Sequence, residues 1–412
     1  MSKPVAGHDV VVVGGGHNGL VAAILAASGG QSVLLLERSP HLGGATLGEP
    51  VFAGRPTRLS RYSYLVSLFP DDLAAELGIA LPLASRITSS YTPTVRDGHA
   101  SGLLVERSPG AATEASFAAL TGGASEFRAW QQLYGELAAM AAALAPHLRG
   151  PMLRRTQVQK RVIGAAGQQL WTDLFEQPLS EMLLRRFADD TVRGIVATDA
   201  LIGTFTSLTD ESLLANRCFL YHLIGRGTGE WQVPIGGMGA LSDALWERAR
   251  AVGVQIRTNF SVDAVTETAE GVVVTGETVR GGRLNFPAAY LLAAVAPVVL
   301  DGWRGVDSVK PVGSQLKVNM LLDRLPQLAS GIDPAIAFAG TMHLEEGYEQ
   351  LEQAYRASAA GEVGEHLPSE VYCHSLSDTS ILNGERAHTL TLFGLHTPRR
   401  CSKQTRRGPL VR

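Results

Sequence analysis

The hydrophobic pattern along the chain opens with a burst. Residues 9–13 are Asp9 and four valines, followed at once by Gly14-Gly15-Gly16-His17-Asn18-Gly19. Residues 20–28 continue as an apolar helix-like stretch, and residues 32–36 form a second apolar strand that ends in Glu37. The spacing predicts strand, turn, helix, strand and acid in that order. Further on, Phe127, Trp130, Leu133, Leu137, Met140 and Leu144 recur at helical spacing and predict one long helix over residues 125–148, with that stripe as core. A second helix is expected over residues 240–252, with Gly253 as its stop. Short strands are expected at 254–257, 262–266, 272–275 and 290–295. From residue 313 the pattern turns β-rich. Leu316, Val318 and Met320 alternate with Lys317 and Asn319, and residues 336–343, 371–374 and 389–396 read as three more strands. The pattern suggests a sheet with one face on a core and the other on a cavity, with Lys317, His343, His374 and His396 on or near the cavity face.

Each part of the opening unit has a physical task. Gly14 allows the tight turn, Gly16 lets the backbone approach a pyrophosphate, and Gly19 lets the helix pack on the sheet. The helix N-terminus offers unpaired N–H groups and a partial positive charge to phosphates. Glu37 stands eighteen residues after Gly19, where a carboxylate accepts from a ribose 2′-OH and repels a 2′-phosphate. Arg38 and a short loop then lead to Gly43-Gly44-Ala45. An acid, a short loop and a glycine pair resemble the extended fingerprint of FAD-binding proteins of the glutathione-reductase type, so the nucleotide is read as FAD.

Composition narrows the field. A chain of 412 residues exceeds one ordinary domain. The expected organisation is a nucleotide domain in two parts, 1–70 and 228–300, and a substrate domain in two parts, 71–227 and 301–400. Residues 401–412, basic and without apolar periodicity, read as a disordered or aberrant tail. A net charge of −3 leaves no electrostatic footprint for nucleic acid. The longest apolar candidate, residues 288–300, is too short for a membrane span and holds Pro297. With no signal-peptide pattern ahead of the first strand, a cytoplasmic location is expected. Arg154, Arg155, Lys160 and Arg161 form a local basic stretch, with weak membrane-surface contact as the alternative to a solvated face. The three cysteines, Cys218, Cys373 and Cys401, are far apart, which argues against a disulfide framework, a structural zinc site and dithiol redox chemistry. Cys218 and Cys373 are expected as core thiols, and no metal is expected.

Two regions suggest ligand contact. Residues 45–70, with Tyr62 and Tyr64, read either as a helix with one buried face or as a segment beside the cofactor. Residues 194–238 are rich in glycine, threonine and aromatics, including Tyr221, His222 and Trp231, and read as long loops lining a ligand site. Tyr372 completes the aromatic candidates.

Several stretches together carry a family resemblance. They are the fingerprint over residues 14–44, Ser60-Arg61-Tyr62-Ser63-Tyr64, Leu220-Tyr221-His222 with Gly229-Glu230-Trp231, residues 234–239 and 315–320, Ala337-Phe338-Ala339-Gly340-Thr341, and Val371-Tyr372-Cys373-His374-Ser375-Leu376. The chain resembles the phytoene-desaturase-related FAD oxidoreductases, most of all the group of pyridine nucleotide-disulfide oxidoreductase domain-containing protein 2. The resemblance implies an α/β flavoprotein of the amine-oxidase superfamily: a Rossmann-like FAD domain and a second domain of mixed sheet and helices. It implies that Val262 contacts the adenine through its backbone, that residues 294–296, Ala294 first, lie near the pyrophosphate, and that Lys317 is a flavin-facing lysine. An ammonium there stabilises charge developing on the flavin. The implied reaction removes a hydride from a C–C or C–N bond of a small apolar substrate through flavin N5, with O₂, a quinone or NAD(P) as the electron acceptor. Carotenoid desaturase or isomerase and flavin amine oxidase are the alternatives, and eukaryotic relatives admit a mitochondrial location. Family members continue with a glycine-rich stretch that returns to the FAD domain. Here the pattern stops after Pro398-Arg399. A truncated C-terminus, and with it a catalytically silent nucleotide-binding or interaction module, is therefore a further expectation.

Overall fold

Val10 to Val13 are all buried, as a strand inside a parallel sheet requires. Their strand, His8–Val13, pairs in parallel with Val33–Leu36 on one side and Arg283–Ala293 on the other. Val33–Leu36 continues in parallel to Gln255–Arg257. Beyond Arg283–Ala293 the sheet turns antiparallel through Gly271–Thr278 to Phe260–Thr268. The result is a six-stranded sheet whose parallel half carries the first helix, His17–Ser28. The computed structural model describes residues 7–310 and 313–398. The 401–412 tail and Cys401 lie outside the described residues.

The chain divides into two compact units. The first holds this sheet and comprises the residues up to 65, with 70–83 and 234–310. The second comprises 66–69, 84–233 and the residues from 313. Its sheet runs Leu316–Leu322, His388–Gly394, Ser369–Tyr372, Thr341–Leu344, Thr88–Arg96 and His99–Glu106. Only the Thr341–Leu344 pairing with Thr88–Arg96 is parallel. A helical core accompanies it. The long helix spans Ser125–Leu144 and buries all six residues of its stripe. Pro146 then converts its end to a short 3₁₀ turn, Ala145–His147. The mixed α/β architecture matches the expected fold class.

Strand register sorts the second sheet into two faces. One row runs Val318, Leu392, Val371, Met342, Tyr91 across five strands and is apolar throughout. From Leu392 to Tyr91 it belongs to a core with Phe338 and Leu390. The adjacent row on the opposite face runs Lys317, Phe393, Glu370, His343, and the next runs Asn319, Thr391, Tyr372, Thr341, Ser90. The alternation over residues 315–321 thus has the expected sense, with one difference. Met320 packs on the core, but Leu316 and Val318 are 52% and 39% exposed.

Three local expectations need correction. Residues 336–343 are not one strand: Asp333 caps and Pro334 opens a short helix, Pro334–Ala337, and the strand is only Thr341–Leu344. Residues 45–70 form no long helix, because Pro50, Gly54 and Pro56 break the region into a hairpin of Gly48–Pro50 with Arg58–Ser60. Residues 194–238 are not mainly loop. Leu214–Ile224 is a helix whose buried side includes Ala215, Phe219 and Leu223, and it carries Tyr221 and His222.

One helix start gives a simple stability test. Asp189 accepts from the Thr191 and Val192 N–H groups at 2.9 and 3.1 Å and from Arg96 Nη2 at 2.6 Å. Asp189→Ala is expected to cost about 1 kcal/mol, read as a lower midpoint in a calorimetric melt.

Candidate functional site

The glycine turn of the first unit is built by backbone contact. Gly14 has φ +105°, and a Cβ there would lie 2.3 Å from the Ala294 carbonyl oxygen. A Cβ on Gly19 would lie 1.9 Å from the Gly14 carbonyl oxygen, so the helix packs on the turn only through glycine. The second glycine pair closes on the first. Gly43 N–H donates to the Gly15 carbonyl at 2.8 Å, and Gly43 (φ +117°) and Gly44 (φ +56°) adopt left-handed backbone. A Cβ on Gly43 would strike Ser242 Oγ at 2.6 Å, and one on Gly44 would strike Gly16 Cα at 3.0 Å. Ser242 Oγ is also 2.6 Å from Thr46 Oγ1.

Gly16 differs from its neighbours. Its backbone is extended, at φ −73° and ψ 175°, and a Cβ there would meet nothing closer than Gly44 Cα at 3.8 Å. It faces a cavity of about 690 Å³, within the usual range of roughly 300–1,000 Å³ for cofactor sites. His17, Asn18, Glu37, Arg38, Ala45, Tyr62, Val262 and Ala294 share the lining of this cavity. Gly15, Gly19 and Gly43 shape it from behind.

Three observations fit a dinucleotide there. The helix His17–Ser28 begins without a side-chain cap and without an acid in its first turn, so its N-terminal dipole is left for an anion. Buried His17 Nδ1 has no hydrogen-bond partner, and burial lowers the His17 pKa, which keeps the ring neutral. Glu37 is fixed at the strand end, accepting from Gly15 N–H at 2.7 Å through Oε2 and from Ser39 N–H at 2.8 Å through Oε1. Each carboxylate oxygen retains capacity for a ribose hydroxyl. The brace from Glu37 to the turn is a second role that its sequence position did not announce.

The candidates in the second unit separate into two groups. Tyr221, His222 and Trp231 come together: His222 stacks on Trp231 at 5.0 Å, Trp231 Nε1 donates to the His222 carbonyl at 3.1 Å, and Tyr221 meets His222 edge-on. Tyr372 has other partners. It is buried, stacks on His374 and donates its hydroxyl to Glu370. Tyr64 is half-buried and does not line the nucleotide cavity. Burial lowers Lys317 to about 8. His343 and His374 are both lowered to about 3, by burial first, then by Arg86 at His343 and by Lys317 at His374. His396 is lowered to about 4 by burial, between Phe205 and Tyr355. The histidines are therefore neutral at physiological pH. Cys218 and Cys373 are free; burial, then the Asp199 charge, pushes the Cys218 thiol up to about 12, which leaves it inert.

Sequence reasoning missed the acids that flank this polar face. Glu370 is raised to about 7 by burial, and Glu346 is raised well above the carboxylate range by burial and then by Glu370. Thr198 Oγ1 donates to Glu370 Oε1 at 3.2 Å; it stands near Glu346 but does not bond to it. The signal for Glu370 was present in the alternation of residues 369–372, where Glu370 and Tyr372 share a face and Val371 takes the other.

This fold and cavity define a dinucleotide-binding flavoprotein. Residues 9–78 match the family model for FAD dependent oxidoreductases. An uncharacterised protein of Mycobacterium tuberculosis is 42% identical over 401 residues, covering 95% of this chain and 74% of its own length. The mouse pyridine nucleotide-disulfide oxidoreductase domain-containing protein 2 is 28% identical over 438 residues, with the same coverage of both chains. Putrescine oxidase bound to putrescine has a similar fold, with TM-score 0.54 at 19% identity over 95% of this chain and 76% of that one. The chain belongs to one family with the mycobacterial protein. It is an FAD-dependent oxidoreductase with an amine-oxidase-type fold and FAD as its cofactor. Among the described residues no helix is long and apolar enough to cross a membrane.

Proposed function

We propose that the chain removes a hydride from a C–C or C–N bond of a small, largely apolar substrate. The observation that carries this reading is Lys317, an ionisable side chain half-buried on the polar face of the second unit's sheet, with Asn319 and Thr391 in the neighbouring row. When bound, FAD would supply the hydride-accepting N5 and the redox chemistry. The chain's own residues hold and orient. The uncapped helix at His17 and the Gly14–Gly16 turn would cradle the pyrophosphate, Glu37 would accept from the ribose, and Val262 and Ala294 would border the nucleotide.

Lys317 supplies positive charge against the negative charge that develops during hydride transfer or reoxidation. Tyr62, Tyr64, Tyr221, His222, Trp231 and Tyr372 are the candidates for substrate contact. The polar rows favour a substrate with at least one polar group over a pure hydrocarbon, which disfavours the carotenoid alternative. Putrescine oxidase shares the fold and lends some weight to a C–N bond.

The test begins with the visible spectrum of the purified chain, with and without added FAD, before and after gel filtration. A flavin band that travels with the protein is expected. Amines, amino acids and unsaturated acyl compounds are then added anaerobically, and bleaching of the band is followed. The acceptor is found by adding O₂, a quinone or NAD(P). Bleaching by dithionite but by no C–N or C–C substrate would reject the reading.

A further inference from the structure

In the second unit His343, Glu346 and Glu370 are all buried, and one ligand atom from each lies within 4.8 Å of the other two. Glu346 is 1% exposed, and neither of its carboxylate oxygens has a hydrogen-bond partner. A carboxylate left so in the interior is strongly disfavoured unless a cation or a proton answers it.

The other two groups are held from behind. Thr92 Oγ1 hydrogen-bonds His343 Nδ1 at 3.1 Å, which leaves Nε2 as the available ring atom. Glu370 is oriented by the hydroxyls of Tyr372 and Thr198. Such outer partners are the usual accompaniment of metal ligands. The backbone of Glu346 is also fixed: a Cβ on Gly194 would lie 1.8 Å from its carbonyl oxygen, so helix Asp190–Ala197 presses directly on it.

We infer that His343, Glu346 and Glu370 form a binding site for one divalent transition-metal cation. One neutral imidazole and two carboxylates make a mixed nitrogen–oxygen set without thiolate, which suits Zn²⁺ or Mn²⁺. A divalent ion balances both carboxylates, while nearby Arg86 and Asp199 oppose one another in charge. The wide spacing of the cysteines excludes only thiolate zinc sites. The inference is independent of the flavin reaction.

The full chain, with FAD present, is stripped with a chelator, dialysed, and titrated separately with Zn²⁺ and Mn²⁺ by calorimetry. Metal retained after gel filtration is counted by mass spectrometry. One cation per chain is expected for at least one of the two metals, with a higher melting temperature when it is bound. Glu346→Gln should retain none, and Thr92→Val, which removes no ligand and no charge, should bind about 10–100-fold more weakly. No binding of either metal at millimolar concentration would overturn the inference and leave a proton as the occupant. Unchanged stoichiometry and affinity in a folded Glu346→Gln, or unchanged affinity in Thr92→Val should Glu346→Gln not fold, would overturn it as well.

Discussion

Gly16→Ala is expected to fold like the parent chain and to lose its hold on FAD. Gly16 has an extended backbone that any residue adopts, and its Cβ would meet no atom closer than 3.8 Å. The free fold therefore has no reason to resist the change. The new methyl group projects into the cavity at the uncapped end of helix His17–Ser28, where the pyrophosphate of the proposed site would approach the backbone. Overfilling a close contact costs about 1–3 kcal/mol, which is roughly 5- to 150-fold in dissociation constant. Gly19→Ala should behave in the opposite way. Its Cβ would fall 1.9 Å from the Gly14 carbonyl oxygen, a rigid backbone atom, so helix and strand must separate. That variant should show a lower melting temperature even without cofactor. Melts of both variants in the absence of FAD, followed by fluorescence titration with FAD, separate the two effects. Equal FAD affinity in Gly16→Ala and the parent would remove this turn from the cofactor site.

The contrast shows why the opening unit was legible. Val10 to Glu37 form one contiguous strand–turn–helix–strand unit, so its residue pattern is local even where a contact, such as Gly14 against Ala294, is not. The strand alternation around Lys317 was legible for the same reason. What could not be read is what arrives from far along the chain. Glu37 reads as a ribose ligand, yet it also braces Gly15, through a hydrogen bond that only the folded turn creates. Glu346 follows Glu345, a residue at φ +53°, and nothing nearby in sequence announces that Glu370 and His343 will face it. Leu214–Ile224 reads as loop from the glycines and threonines that flank it, although its own apolar positions repeat at helical spacing. The aromatic candidates were chosen by type, and the structure divides them: Tyr221, His222 and Trp231 meet, whereas Tyr372 is turned to Glu370.

Lys317→Met should make the protein more stable at neutral pH and slower in turnover. Burial is the cause of the lowered lysine pKa, from 10.5 to about 8, so the folded chain binds this proton less readily than the unfolded chain does. At pH 7 the group is charged in both states, and the fold bears the burial cost in full. The cost fades as pH rises from about 8 toward 10.5, where the folded and then the unfolded lysine become neutral. It amounts to at most about 3 kcal/mol, less whatever solvent still screens a half-buried group. Methionine keeps most of the length of the side chain and removes the charge. The variant should therefore melt higher than the parent at pH 7, and the difference should shrink between pH 8 and pH 10.5. Catalysis should move the other way. The parent's flavin reduction or reoxidation rate should fall as pH rises through about 8, when the ammonium is lost, and Lys317→Met should be slow at every pH and lack that step. Stopped-flow rates and melting temperatures over pH 6–10 test both halves with one variant. A gain in stability with unchanged rates would leave Lys317 a buried charge without a part in the chemistry. A loss of rate that keeps the parent's pH step would place the titrating group elsewhere.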